Sequence, residues 1–481
     1  MSNKSTEKKN EQAFATISLK SFVTVVSILI ITILISGALS YFIPGGSFER
    51  AEDGSIITGS YVEGEVEGIA VWRVISAPVR VFFSEDALTI ILISVFLMIM
   101  SGVFNIMEKV GGIRIFIGRV MAKMKNKGSP VACLTVLIFM LFGSFFGMYE
   151  ELITLLPITI MFMLSMGFDT MTGLGACMLA ACFGFSSAIT NPFSVGLASE
   201  VAGVPITTGV GLRLLFFYLV YSTLAIFLIL HIRKIKKNPM LSPTFEEDEK
   251  KRATLSDFTV ERNEKNDRIF KVFCAFFGIQ GILLILIATI AEISDLAIPI
   301  LAVSFLVFGI GAGLIIEKNT KDIFSHFVSG AVAMLPAVLM IALASSVKLI
   351  MSESGIIDTI MNSVIELLSG KSKLFAILLI YFLVIFLQFF IGSASAKIIL
   401  IMPIIMPIAV ALGISPAVVI LAYCMADGFS DVIIPTNPIL LVGLSMTGVS
   451  YGKWVKWTWK LQVIVFILSV LVLGFGILLG V

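Results

Sequence analysis

Apolar stretches of about 20 residues recur along nearly the whole chain, and this length is what a helix needs to cross bilayer hydrocarbon. Only 14% of the residues are charged and 58% are apolar, whereas about a quarter of the residues in ordinary globular proteins are charged. The sequence therefore predicts an all-α integral membrane protein. The stretches cover approximately 21–43, 87–107, 129–146, 148–166, 172–199, 210–232, 269–290, 295–316, 328–350, 374–391, 396–412, 416–446 and 459–480.

Two neighbouring pairs of apolar stretches have no polar loop between them. The first pair meets at 146–148 and the second at 391–396, where the chain contains small residues such as Gly147 and Gly392. A hairpin that enters and leaves the membrane on one side can turn without a polar loop if protein surrounds its tip. We therefore expect two re-entrant hairpins.

Positive charges are unevenly distributed among the connecting segments. Lys and Arg concentrate in 108–128 and 233–268, whereas 44–86 is rich in Asp and Glu. Because Lys and Arg collect in cytoplasmic loops, the first two segments are predicted inside and the third outside. The prediction is about nine transmembrane helices plus two re-entrant hairpins, with a cytoplasmic amino terminus and an extracytoplasmic carboxyl terminus.

The hydrophilic segment 233–268 also divides the chain into halves. We expect a cytoplasmic tail over 1–20, a first half over 21–232, a cytoplasmic linker over 233–268 and a second half over 269–481. Two interpretations of the linker stay open: a solvated connection and a regulatory surface.

Several landmark residues repeat at an offset of 246 positions. The offset superimposes Pro157 on Pro403, Gly167 on Gly413, and Thr190-Asn191-Pro192 on Thr436-Asn437-Pro438. By the predicted crossing count, the second copy enters the membrane in the opposite orientation. Inverted repeats are typical of alternating-access transporters, so we predict two such repeats, beginning near 87 and 328, each with a hairpin and a broken helix.

The repeated Thr-Asn-Pro tripeptide predicts a helix break with chemical consequences. Pro192 and Pro438 cannot donate a backbone hydrogen bond, so each leaves carbonyl oxygens free and opens its helix. Free carbonyl groups in lipid are costly unless something binds them. The neighbouring Thr and Asn side chains add polar atoms, and the half-helix after each break directs its positive dipole end inward. Such breaks can hold a cation and a carboxylate.

Charged residues also fall inside the predicted membrane segments, namely Glu150, Glu151, Lys397, Asp427 and Asp431. A charge at mid-membrane costs about 2.5–3.5 kcal/mol on insertion scales, so these residues are functional candidates. Lys397 either neutralises one of the four acids in a buried pair or contacts the solute. The remaining carboxylates suit a coupling proton or the ammonium or guanidinium group of a substrate.

The predicted site therefore has two parts. Substrate contacts are assigned to Glu150, Glu151, Thr190, Asn191, Ser393, Ser395, Lys397, Thr436 and Asn437. A coupling ion is assigned to Ser186, Ser187, Asp427 and Asp431.

Other classes of site have little support in the sequence. The chain has two histidines, His231 and His326, both near predicted helix ends, so a histidine metal centre or a Ser-His-Asp triad is hard to build. The five cysteines lack metal-ligand spacing and are expected to be buried apolar residues. Asp169 and Asp295 are expected to cap helices. We predict no catalytic residue, no metal site, no cofactor and no nucleic-acid partner.

Three segments carry a resemblance to a known family. They are Gly147-Met148-Tyr149-Glu150-Glu151, the run Gly184 to Pro205 with Thr190-Asn191-Pro192-Phe193, and Asp427-Gly428-Phe429-Ser430 followed by Ile434-Pro435-Thr436-Asn437. The chain resembles the YfcC-like branch of the anaerobic C4-dicarboxylate carrier (DcuC) family, within the ion transporter superfamily. The likeness covers almost the whole chain.

The resemblance implies a scaffold and a transport domain in each half, often in a homodimer, with the solute and any coupling sodium or proton between hairpin tips and broken helices. Dicarboxylate carriers that use sodium have Ser-Asn-Thr at each hairpin tip, whereas the tips here are Phe146-Gly147-Met148 and Ser393-Ala394-Ser395. Members close to this branch are associated with exchange of basic amino acids such as arginine and ornithine.

The functional prediction is a secondary active transporter of the cytoplasmic membrane that moves a small carboxylate-bearing solute by alternating access. The expected solute is a basic amino acid, carried either by arginine/ornithine-type exchange or by ion-coupled transport. The alternative within transport is a C4-dicarboxylate carrier coupled to sodium or protons, with Lys397 as the anion contact. A membrane-embedded enzyme would need a nucleophile, base or metal set, and a channel would need a continuous polar pore; the sequence displays neither.

Overall fold

The computed structural model describes residues 19–50, 57, 59–85, 87–112, 115–116, 119, 128–255, 263–289, 296–317, 319–368 and 371–480. Residues 1–18 of the predicted tail, residues 256–262 of the predicted linker and the predicted cap Asp295 lie outside these ranges.

The described residues are mainly helical. A short antiparallel pair, β1 (Gly46–Ser47) and β2 (Val62–Glu63), lies near the start of the chain. The α-helices of the first half are α1 (Leu19–Leu39), α2 (Val71–Arg80), α3 (Ala87–Lys109), α4 (Ser129–Phe146), α5 (Leu156–Ser165), α6 (Thr170–Leu174), α7 (Ala180–Ser186), α8 (Leu197–Val201) and α9 (Val210–Lys237). Those that follow are α10 (Phe245–Leu255), α11 (Glu264–Thr289), α12 (Ala297–Ile316), α13 (Thr320–Val332), α14 (Leu335–Glu353), α15 (Ile356–Leu368), α16 (Lys373–Leu387), α17 (Ala394–Ala411), α18 (Pro416–Asp431), α19 (Pro438–Thr447) and α20 (Tyr451–Leu479).

Shorter helical turns complete the path between these helices. They are 3-10 turns at Val81–Phe83, Glu151–Leu155 and Pro239–Leu241, and π turns at Gly175–Leu179 and Pro192–Gly196.

Six helices in the described ranges are long and apolar enough to cross a membrane, or seven if the bent pair Val338–Glu353 and Ile356–Leu368 forms one span. The prediction of a helical membrane protein is confirmed at this level. Two of the six, Ser129–Phe146 and Ala394–Ala411, are arms of the predicted hairpins. The predicted crossings 21–43 and 172–199 contain the shorter apolar helices Val26–Leu39 and Thr170–Ser186. The count of nine crossings, the re-entrant character of the hairpins and the inverted repeats stay predictions.

Both predicted hairpins are helical pairs joined by short turns. We call α4, the following turn and α5 hairpin 1 (129–165), and α16, its turn and α17 hairpin 2 (373–411). Both predicted helix interruptions also occur. The first broken helix (170–201) is interrupted between Ser186 and Pro192, and the second (416–447) between Asp431 and Pro438.

The helices pack in two groups. One group, the scaffold, combines α1, α2, α3, α12, α13 and α14, whereas the other contains both hairpins, both broken helices, α9 and α20. The two broken helices cross closely, because a Cβ atom added to Gly428 would lie 2.3 Å from the backbone nitrogen of Ser186. Glycine is therefore needed where α18 meets α7.

Helix ends follow the local chemistry of their first residues. The Asp169 side chain accepts a hydrogen bond from the Thr172 nitrogen, which confirms its predicted role as an N-cap. Ser372, Ser415 and Ser450 cap α16, α18 and α20 in the same way.

The cysteine prediction is correct for Cys177, Cys182 and Cys424 but wrong for Cys274, which is exposed, and Cys133 is half-buried. Both exceptions lie on helices, α4 and α11, that also expose large apolar side chains such as Leu134 and Ile282.

Candidate functional site

A cavity of about 450 Å³ lies where the two hairpin tips meet the second broken helix and the scaffold. This volume is within the range of small-molecule sites in proteins, about 300–1,000 Å³. Apolar scaffold residues on α3 and α14 form one wall, including Ile90, Ile93 and Ile341. The polar and charged lining consists of Tyr149, Glu150, Ser345, Lys348, Gln388, Ser393, Ser395, Asp427, Asp431, Thr436 and Asn437.

Hairpin 1 turns at Gly147, which brings Glu150 to the cavity. Gly147 has φ +69° and ends α4 by donating its backbone N–H to the Gly143 carbonyl over 3.1 Å. A side chain at this position would also meet Asn191, whose Oδ1 lies 2.3 Å from an added Cβ atom. The tip therefore packs directly against the first helix break, and only glycine fits both requirements. The side chain of Glu151, also a predicted substrate contact, lies outside the described part of the structure.

The two serines at the tip of hairpin 2 have different hydrogen-bond partners. Ser393 caps α17 by accepting a hydrogen bond from the Ala396 nitrogen, and it lines the cavity. Ser395 donates to the Phe193 carbonyl over 3.4 Å, so hairpin 2 contacts the first broken helix. Tyr423 of the second broken helix donates to the Ala394 carbonyl over 2.6 Å. The tip of hairpin 2 is thus held by both broken helices.

The first break is filled by side chains of the protein itself. Ser144 of hairpin 1 donates to the Ser187 carbonyl over 2.7 Å, and Arg213 Nη1 of α9 donates to the Ile189 carbonyl over 2.8 Å. Thr190 is exposed and donates to the Phe145 carbonyl over 3.1 Å. The break and the tip of hairpin 1 therefore form one hydrogen-bonded unit.

Asn191 is fully buried at this break, and the oxygen and nitrogen of its side-chain amide have different hydrogen bonding. Its Oδ1 accepts a hydrogen bond from the Phe193 nitrogen over 2.9 Å. Its Nδ2 has no hydrogen-bond partner among the described residues. A buried amide without a partner is costly, so this atom is suited to a group that enters the site. Neither Thr190 nor Asn191 is part of the cavity lining described above.

The second break is built around Asn437. Its Oδ1 caps α19 by accepting from the nitrogens of Ile439 and Leu440, and its Nδ2 donates to Asp431 Oδ1 over 2.7 Å. The Trp454 indole donates to the Val432 carbonyl over 2.7 Å, and the Tyr451 hydroxyl donates to the Ile433 carbonyl. The carbonyl groups that the Asn-Pro step frees are therefore bonded by residues of α20.

Two carboxylates of the second broken helix have different surroundings. Asp427 forms an ion pair with Lys397, and both side chains are buried, 1% and 0% exposed. Asp431 accepts hydrogen bonds from Gln388 Nε2 and Asn437 Nδ2. Of the two interpretations of Lys397, the buried pair is the arrangement that the structure contains. Lys397 itself is not among the cavity-lining residues.

The two serines assigned to the coupling ion, Ser186 and Ser187, are not among the cavity-lining residues. Ser186 donates to the Met425 carbonyl over 2.9 Å and Ser187 to the Phe183 carbonyl over 2.6 Å, and both are buried. Their hydroxyl protons are therefore used in helix contacts, while their ion-binding role stays a prediction. In the described ranges, no group of three or more His, Cys, Asp or Glu side chains could hold a metal ion.

Sequence reasoning missed four polar residues of the cavity: Tyr149, Ser345, Lys348 and Gln388. Lys348 and Gln388 lie inside the apolar stretches 328–350 and 374–391. The rule that singled out Lys397, a charge within an apolar stretch, would also have identified Lys348. Ser345 and Tyr149 are less informative, since both residue types are common in membrane helices.

A family model and two relatives match most of the chain. The sequence model of the C4-dicarboxylate anaerobic carrier family, DcuC, matches residues 19–477. A protein of Escherichia coli (strain K12) with the name "Putative basic amino acid antiporter YfcC" is 28% identical over 402 residues, covering 79% of this chain and 77% of that protein. An uncharacterized protein of Haemophilus influenzae (strain Rd) is 28% identical over 425 residues, covering 85% and 77%.

Solved structures show a weaker similarity. The Alcanivorax borkumensis YdaH transporter is 16% identical with a TM-score of 0.43, over 96% of this chain and 98% of that chain. Neisseria gonorrhoeae MtrF is 14% identical with a TM-score of 0.42, over 95% of each chain.

Proposed function

Because this chain belongs to the C4-dicarboxylate anaerobic carrier family, a family of membrane carriers and not of enzymes, we propose that it exchanges basic amino acids across the cytoplasmic membrane by alternating access. The observation that carries the proposal is the balance of charge around the cavity. Glu150, Asp427 and Asp431 line it, and Lys348 is the one cationic side chain among the described lining residues. Asp427 also pairs with Lys397, which lies outside the lining. The lining therefore has more acidic than basic side chains, which favours a solute with a cationic side chain.

The same cavity also suits the other end of an amino acid. Lys348 lines it from α14 and supplies the positive charge that an α-carboxylate needs. A basic amino acid therefore extends from the scaffold toward Glu150 and Asp431, with its guanidinium or ammonium group between the two carboxylates. Arginine can bond both at once because its planar fork carries five N–H donors. The name of the Escherichia coli relative supports the same solute class.

The decisive experiment is counterflow of labelled arginine into liposomes that contain the purified protein. Glu150→Gln and Asp431→Asn keep the shape of each side chain and remove its charge. Loss of a charge-assisted hydrogen bond costs about 1.5–3 kcal/mol, so each variant should weaken arginine affinity by about tenfold or more. Glu366→Gln is the matched control, since Glu366 is exposed on α15 and contacts Asn362. If arginine exchange survives both site changes, the proposal fails.

A second candidate is a C4-dicarboxylate carrier coupled to sodium or protons, which the family description favours. Lys348 would then bind one carboxylate of the solute. The weakness of this candidate is that the other solute carboxylate would approach Glu150 and Asp431. A thermal-shift screen with succinate and arginine distinguishes the two, because the transported class should stabilise the protein and the other should not.

The wider arrangement is part of the same proposal. Two inverted repeats and a homodimer would supply rigid scaffolds against which the hairpins and broken helices move. The amino terminus would lie in the cytoplasm and the carboxyl terminus outside, in the inner membrane.

A further inference from the structure

Breaks in membrane helices are natural cation sites, because the carbonyl oxygens that they free resemble the hydration shell of an ion. At the first break, however, these oxygens already have donors. Ser144 donates a hydrogen bond to the Ser187 carbonyl, and Arg213 donates one to the Ile189 carbonyl. A metal cation at this position would compete with both donors for the lone pairs of these oxygens.

Arg213 occupies the first break as a cation would. Its side chain comes from α9, is 2% exposed, and donates to the carbonyls of Ile189, Thr208 and Ile206. Among the described residues, no carboxylate is paired with it. A guanidinium surrounded by carbonyl oxygens provides a fixed positive charge where a bound cation would otherwise sit.

A second buried cation lies one helical turn before the second break, opposite Asp427 of α18. Lys397 pairs with Asp427 in a fully buried contact. The freed carbonyls of Asp431, Val432 and Ile433 accept hydrogen bonds from Asn437, Trp454 and Tyr451. The carboxylate and the carbonyls that could have bound an ion are thus used by the protein.

We propose that Arg213 and Lys397 are resident cations that replace coupling sodium at both helix breaks, so that solute exchange requires no sodium ion. A second cation beside either side chain would be repelled within a low-dielectric interior, where charge interactions are strong. Each half thus contains a buried positive charge, but a different element supplies it. Helix α9 supplies Arg213, and the second arm of hairpin 2 supplies Lys397.

The first test compares arginine counterflow in sodium chloride and in choline chloride at equal ionic strength. The wild-type rates should agree within about twofold, whereas stimulation by sodium of about tenfold or more would overturn the inference. Only this test rests on the proposed solute. If arginine exchange is absent in both salts, the proposed solute is wrong, and the sodium question is decided by the second test.

The second test uses thermal unfolding of the purified full-length protein and needs no solute. Sodium chloride should not stabilise the wild type beyond the effect of choline chloride. Lys397→Met leaves Asp427 without its counter-ion, so sodium should stabilise this variant in a saturable way, by mass action. Lys456→Met is the matched control, because Lys456 is exposed on α20. Saturable stabilisation of the wild type by sodium would overturn the inference.

If Lys397→Met does not fold, Lys397→Arg keeps a cation against Asp427. It should fold and remain insensitive to sodium. A sodium-stabilised Lys397→Arg protein would contradict the proposal, because the charge at the break would still be present.

Discussion

The backbone nitrogen of Thr170 donates a hydrogen bond to Asp248 Oδ2 over 3.0 Å, which connects the start of the first broken helix to α10 of the inter-half segment. On the same helix, Lys251 donates to the Thr447 carbonyl over 2.9 Å, at the end of the second broken helix. Glu247 pairs with Lys453 of α20 over 2.7 Å. Helix α10 therefore bridges the two halves instead of lying free in solvent.

The burial of Asp248 predicts a pH-dependent stability. Desolvation raises the pKa of this carboxyl, although hydrogen bonds from Thr170 and the charge of Lys251 oppose the shift. The folded protein thus holds this proton more tightly than the unfolded chain. Its contribution to the free energy of unfolding is complete below the ordinary Asp pKa, about 3.9, and declines as pH rises through the raised value.

Asp248→Asn should remove this decline, because asparagine does not titrate. We expect a flatter dependence of the unfolding temperature on pH above about 4 for the variant than for the wild type. Glu249→Gln, next to it and exposed, should leave the wild-type dependence unchanged. Identical pH profiles for Asp248→Asn and the wild type would show that the bridge is not sensitive to this proton.

The elements that could be predicted from the sequence are those set by local chemistry. The Asn-Pro steps locate both helix breaks, and the absence of a polar loop at Gly147 locates a hairpin tip. Trp454 and Tyr451 could not be predicted as partners of the second break, because both residue types are common in membrane helices. Arg213 lies inside the apolar stretch 210–232, so its charge marked it as a candidate, but nothing in the sequence showed that it contacts the first break. The packing of α10 escaped prediction for a similar reason: a charged surface helix gives no sign of what it contacts.

The backbone of Gly147 predicts a graded effect of substitution at hairpin 1. A left-handed conformation costs an ordinary residue about 1–2 kcal/mol. Gly147→Ala should lose this amount and also displace Asn191, whose Oδ1 would lie 2.3 Å from the new Cβ atom. Gly167 has φ +80° but no atom within 4 Å of an added Cβ, so Gly167→Ala isolates the conformational cost.

We therefore expect a lower unfolding temperature for Gly147→Ala than for Gly167→Ala, together with a reduced exchange rate only in the former. Equal losses in both variants would mean that contact between the tip and the first break is unimportant.

The predicted topology can be tested by labelling single cysteines from one side of the membrane. In a background without the five native cysteines, Glu65→Cys and Glu249→Cys both place a thiol at an exposed position. An impermeant maleimide added to intact cells should label the first and not the second, because basic segments remain in the cytoplasm. Labelling of Glu249→Cys in intact cells would reverse the proposed orientation.

Substitution of Trp454 tests how much the hydrogen bond from its indole to the second break contributes to the stability of the protein. Trp454 is fully buried and its Nε1 donates to the Val432 carbonyl over 2.7 Å. Trp454→Phe keeps an aromatic ring but leaves that buried carbonyl without its donor, at a cost of about 1–3 kcal/mol. Trp459→Phe is the matched control, since Trp459 is 50% exposed. A markedly lower unfolding temperature for Trp454→Phe alone would establish that the freed carbonyls are held by the protein. If both variants unfold at the wild-type temperature, water must replace the indole at the break, and the second break would then have room for a small polar ligand.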